Sequence, residues 1–203
     1  KQHPSGLIPL PGREHDPAPL NARIAALDGA FKKVLDEQEA SAKALKGTPN
    51  AVLANGEIPD GGKATFATKA AIKVKKGELV MLSITPLLNH GADSTRVEVV
   101  IRDVAKGGKV WDLSADVLDR FSTGNPVGPW YFLDARDGLR PMPEVVKDFS
   151  GHKGLHVWRN GLTPSAFVNA SIMTAGAWTN LPPRRVFLHP ATDGAVAVGW
   201  LSP

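Results

Sequence analysis

Cysteine is absent from this chain. Disulfides, thiolate metal centres and a covalently attached c-type haem are therefore excluded on these 203 residues. Long apolar runs are missing too: none reaches the roughly 18 residues expected of a membrane span. Charge of one sign is scarce in net terms, with 24 basic against 20 acidic residues and a balance of +4. That balance is too weak to imply nucleic acid without a clustered patch. Lys63, Lys69, Lys73, Lys75 and Lys76 do cluster, but no aromatic platform is interleaved with them. They read as protection for strand edges and solvated faces, and no nucleic-acid partner is expected. No G-x-S-x-G elbow, no HExxH pair and no dense run of alternating aspartates occurs. The chain opens at Lys1 without a signal-type apolar segment, which fits a processed product or a trimmed chain.

What is abundant is turn chemistry. Twenty glycines and seventeen prolines make up about 18% of the chain, against an average nearer 12%. Such an excess favours short strands and many turns. Residues 1–18 hold prolines at 4, 9, 11 and 17 and show no periodicity, so they read as an extended arm. One amphipathic helix is expected over 19–47. Leu20, Ile24, Leu27, Phe31, Val34, Leu35, Gln38, Ala42 and Leu45 fall on one face, Pro19 suits its first turn, and Gly47 with Pro49 stops it.

From residue 50 onward the period changes to two. Strands are expected at Ala51–Ala54, Thr65–Val74, Leu79–Thr85, Arg96–Val104, Val110–Leu113, Trp130–Leu133, Leu155–Trp158, Phe167–Ile172, Val186–His189 and Ala195–Leu201. The fold class expected is mainly β. A β-sandwich or jelly-roll-like domain spans 50–203, preceded by the arm and the helix. The last strand is strongly apolar and is followed only by Ser202-Pro203. An unpaired strand exposes its N–H and C=O groups, so further polypeptide completing the C-terminal sheet is an expected partner, and the domain reads as incomplete at that end.

Candidate chemistry is sparse. His152 and His156 stand four apart, a spacing that suits a metal on a helix, and they are the metal candidates, although a loop and a strand are expected there. His189 ends a strand with no serine elbow to partner it, and Asp93-Ser94-Thr95 reads as a turn closed by side-chain-to-backbone hydrogen bonds. Asp134, Asp137 and Glu144 are the carboxylates considered for glycosidic acid–base work, and Asp93, Asp103 and Asp193 those for calcium. Five tryptophans carry more weight. Trp111 and Trp200 lie in alternating strands and read as core. Trp130, Trp158 and Trp178 sit beside loop-like sequence and are the candidates for stacking on a glycan.

Val186–Pro203 (VFLHPATDGAVAVGWLSP), with its His-Pro block and closing Gly-Trp-x-Ser-Pro, resembles a segment of large exported multidomain proteins of planctomycetes that are associated with cytochrome-c-like modules and whose function is unknown. Val74–Ile101, Phe167–Ser171 and Leu181-Pro182-Pro183 are similar to the same family, so the likeness covers 65–203. It implies a jelly-roll segment, a periplasmic or extracellular location, and no cofactor on this chain, with haem on the rest of a parent polypeptide or on a partner. The expected function is a non-catalytic β-module for scaffolding or ligand binding, glycan included. The alternative is a subunit or fragment of a periplasmic haem-containing or hydrolytic complex whose active site lies on another chain.

Overall fold

The computed structural model describes residues 51–59, 61–86, 91, 93–121 and 124–203, together with six positions between Ala22 and Lys32. The expected arm over 1–18 lies outside the described residues, as does most of the helix expected over 19–47. Ala22, Arg23, Ala25, Ala26, Gly29 and Lys32 are helical. The chain divides into two compact units, Lys1–Ala40 and Ser41–Pro203. No described helix is long and apolar enough to cross a membrane.

The second unit is mainly β and built of antiparallel sheets. A four-stranded sheet has the order β1 (Leu79–Ile84), β13 (Ala195–Leu201), β5 (Trp130–Ala135), β6 (Arg140–Pro141). A five-stranded sheet runs β2 (Thr95–Val97), β12 (Arg185–His189), β9 (Ser165–Asn169), β8 (Leu155–Arg159), β7 (Glu144–Val146). Two hairpins accompany them, β3 (Val100–Arg102) with β4 (Val110–Asp112), and β10 (Ala175–Ala177) with β11 (Thr179–Leu181).

Period-two alternation decides which side chains meet. Val186 and Leu188 of β12, Ala166 and Val168 of β9, and Trp158 of β8 share one buried cluster with Val196, Val198 and Trp200 of β13 and Trp130 and Phe132 of β5. The two larger sheets thus contribute to a single core. A short helix, α1 (Leu113–Leu118), adds Leu113, Val117 and Leu118 to it; Asp112 caps the helix by accepting the Ala115 N–H at 3.1 Å.

Three expectations are corrected by the ladders. The strand over 195–201 has no unpaired edge, because β1 pairs along one side and β5 along the other. Its predecessor β12 belongs to the other sheet, so the turn from His189 to Ala195 carries the chain from one sheet to the next. The strands expected at Ala51–Ala54 and Thr65–Val74 do not form. These stretches are exposed (Val52 by 76%) except at Val74, which packs on the core, and no described strand pairs with them. Alternation without a neighbour is not enough to make a strand. The single strand expected over 96–104 is split into β2 and β3, and where the ladder breaks Val99 O accepts a hydrogen bond from Leu113 N at 2.9 Å.

Candidate functional site

Register places a row of polar residues across one end of the five-stranded sheet. His189 of β12 faces Ser165 of β9, Ser165 faces Arg159 of β8, and Arg159 faces Glu144 of β7. Directly opposed residues of antiparallel strands project from the same face. That face is the one turned away from the shared core, because Leu188, Ala166, Trp158 and Val145 alternate with the row and point inward. Ser94, just before β2, extends the row: its Oγ lies 3.0 Å from His189 Nδ1. At the far end Arg159 Nη2 donates to Glu144 Oε1, and this hydrogen bond holds the Glu144 carboxyl below the usual carboxylate range. The row keeps unspent hydrogen-bonding capacity, since Ser165 Oγ and Arg159 Nε are buried without a partner. Ser165 is wholly buried at 0% exposure and His189 nearly so at 4%. An unpaired buried polar group costs about 1–3 kcal/mol, so each such atom demands a reason.

The β10–β11 hairpin covers the apolar part of this face. Ala175, Ala177 and Leu181 pack on Leu155, Val157, Phe167 and Phe187. Asn169 anchors the hairpin by donating to Leu181 O and Met173 O, both at 2.8 Å. Trp178 forms the tip between Ala177 and Thr179, with φ at 52°. That left-handed conformation is uncommon for a bulky residue and persists only where surroundings impose it. The surroundings are aromatic: the Trp178 ring meets Phe167 and His189 edge-on, each at 5.2 Å, and Phe149 at 6.0 Å. The Arg159 guanidinium lies 5.8 Å from the centre of the Phe149 ring. Even so, 47% of Trp178 remains exposed. A half-exposed indole therefore stands beside His189 at one end of the polar row.

The other tryptophan candidates are placed differently from the sequence reading. Trp130 and Trp158 are fully buried in the shared core. Trp130 Nε1 donates to Asp116 Oδ2 at 2.8 Å and Trp158 Nε1 to Gly124 O at 3.0 Å, while Trp158 stacks on Phe132 at 4.4 Å. Neither offers a free indole face to a ligand. Trp200 is core, as expected, whereas Trp111 is only partly buried and lines a cleft of about 320 Å³ with Lys109, Pro129, Tyr131 and Pro203.

The histidine pair is likewise separated. His152 Nε2 lies 3.2 Å from Gly176 O, on the hairpin side of β8, while His156 projects to the opposite side and stacks on Phe121 at 3.4 Å. Residues four apart lie together on a helix but not across a turn and a strand, so the two cannot share a metal. Among the described residues no group of three or more His, Asp or Glu is arranged to hold one. Burial pushes the His156 imidazole below its ordinary value, a shift opposed by nearby Asp148 and reinforced by Lys147.

Several of the acids considered for chemistry are already engaged. Burial alone would raise the Asp134 carboxyl, but hydrogen bonds from Arg136 and Asn160 outweigh it and hold the group below its usual range. Asp193 pairs with Arg136 and Asp103 accepts the Ala105 N–H, whereas Asp93 Oδ2 is buried without a partner; Thr95 Oγ1 donates to the Asp93 backbone O in the turn-like manner expected. What the sequence reading missed is the meeting of Ser94 with His189 and the lining-up of Ser165 and Arg159 beside them. Comparison of the chain with protein-family models, with curated proteins and with solved structures gives no match.

Proposed function

We propose that the Ser41–Pro203 unit is a ligand-binding β-module that takes glycans against Trp178. The observation that carries this reading is the half-exposed indole fixed edge-on by Phe149, Phe167 and His189. Sugars present an apolar C–H face to a ring and hydroxyls to surrounding donors and acceptors. The accessible members of the polar row, Ser94, Arg159 and Glu144, supply such groups on the same sheet face. The same reading treats the four- and five-stranded sheets as the two layers of a β-sandwich of jelly-roll type, supported by their common core. An exported multidomain bacterial protein is the proposed setting, and it rests on the resemblance of Val186–Pro203 and Val74–Ile101 alone.

Affinity electrophoresis of the full chain through gels containing individual soluble polysaccharides tests the proposal. Retardation by at least one polysaccharide is expected, with about a tenfold or greater loss of affinity in Trp178→Ala and no change in Trp111→Ala. Equal retardation of wild type and Trp178→Ala, or none at all across neutral and acidic polysaccharides, removes it.

A further inference from the structure

We infer that Ser94 and His189 form a nucleophile–base pair that hydrolyses small acyl esters carried by a carbohydrate lying on Trp178. The Oγ–Nδ1 separation of 3.0 Å falls within the range over which an imidazole takes the proton of an attacking hydroxyl. The geometry is not a chance meeting of two flexible side chains. His189 is the last residue of β12, and the ladder from Val186↔Val97 to Leu188↔Thr95 brings Ser94 level with it. The imidazole is 4% exposed and braced at 5.2 Å by the Trp178 ring. Ser94 is only partly buried. The base is thus largely buried, and ester and water reach the pair from the side of the partly exposed nucleophile. The carbohydrate part of the substrate rests on the binding reading above; the hydrolytic pair does not.

The step requires the tautomer with the proton on Nε2 and a free electron pair on Nδ1. Ser94 Oγ bonds to the ester carbonyl carbon as its proton passes to Nδ1, and the carbonyl electron pair moves onto oxygen. When the tetrahedral species collapses, the C–O bond to the sugar breaks and the leaving oxygen takes the proton from Nδ1. Water, deprotonated in turn by Nδ1, attacks the acyl-Ser94, releasing the carboxylic acid and restoring both residues. Water is the only co-reactant, and no electron acceptor is needed. An ester is favoured over an amide because an alkoxide leaves more readily than an amine.

The test uses the full chain with 4-nitrophenyl acetate, which needs no glycan contact, and with acetylated xylan. The expected result is release of nitrophenolate and acetate, falling at least 100-fold in Ser94→Ala and in His189→Asn. Labelling of wild type by a fluorophosphonate, located at Ser94 by peptide mass, keeps the test independent of whether the His189 variant folds. Hydrolysis no faster than buffer, or hydrolysis and labelling undiminished in Ser94→Ala, overturns the inference. Failure of the two proposals is distinguishable. Polysaccharide retardation without 4-nitrophenyl acetate hydrolysis sinks the dyad alone, and hydrolysis without retardation upholds the dyad while removing the glycan reading.

Discussion

At the scale of single residues, two buried titratable groups are lowered for different reasons, one by burial and the other by its hydrogen-bond donors. His156 is buried with neither ring nitrogen hydrogen-bonded, so its neutral form is favoured and its value falls below 6.5. Below pH 6.5 the unfolded chain binds a proton there that the folded chain refuses, so stability is lost as pH falls from 6.5 towards the folded value. His156→Leu removes both the orphaned nitrogens and this slope. The variant is expected to be about 1 kcal/mol or more stabler than wild type at pH 5, with a smaller difference at pH 7.5, as read by urea unfolding at the two pH values. Asp134 shifts the same way for another reason, since Arg136 and Asn160 hold its charged form. Its contribution is present above pH 3.8 and lost as pH falls through the lowered folded value. Asp134→Asn is expected to cost about 1–3 kcal/mol at pH 7 and to flatten the acid limb of a thermal-melt profile below pH 4. The tryptophans carry a lesson at this scale. The sequence contains the parity that buries Trp130 with Phe132 on the core face of β5. Its position after Gly128-Pro129 suggested exposure instead, and period two was the better guide.

Among the elements, those rich in alternating apolar residues were legible and those built from small or polar ones were not. β12 and β13 stand where Val186, Leu188, Val196 and Val198 indicated. The β10–β11 hairpin consists of Ala-Gly-Ala and Thr-Asn-Leu around Trp178 and has no apolar rhythm to announce it. Its position depends on one buried amide. Asn169 donates to carbonyls on both sides of the hairpin and has no exposed surface. Asn169→Ala leaves those carbonyls short of a donor and is expected to lower stability by about 2–4 kcal/mol through several lost hydrogen bonds. Faster amide exchange and increased quenching of Trp178 fluorescence by iodide would report the loosening of the hairpin; an unaltered quenching constant would show that the aromatic contacts hold it alone. The polar row was illegible for a related reason. Ser94, Glu144, Arg159, Ser165 and His189 come from five separate strands or strand ends, and register between strands is a property of the tertiary fold rather than of any local window.

For the whole molecule, the shared core means that the two larger sheets stabilise one another. Phe132 from the four-stranded sheet stacks on Trp158 from the five-stranded one, and both are fully buried. Phe132→Ala is expected to cost about 3–5 kcal/mol, and circular dichroism and tryptophan fluorescence should report one common transition, since neither sheet retains its core alone. Two separated transitions would contradict that coupling. The central position of β13 has a consequence for synthesis. Leu79 pairs with Leu201, about 120 residues later in the chain, and β1 meets β5 only through β13. At a translation rate of about 5–20 residues per second, β1 waits on the order of ten seconds before its partner leaves the ribosome. Throughout that interval Leu79, Val80, Met81, Leu82 and Ile84 form an apolar segment with both edges open. The nascent chain is therefore most vulnerable to aggregation, and most dependent on chaperones, in the stretch whose only strand partner is among the last residues of this sequence to be made.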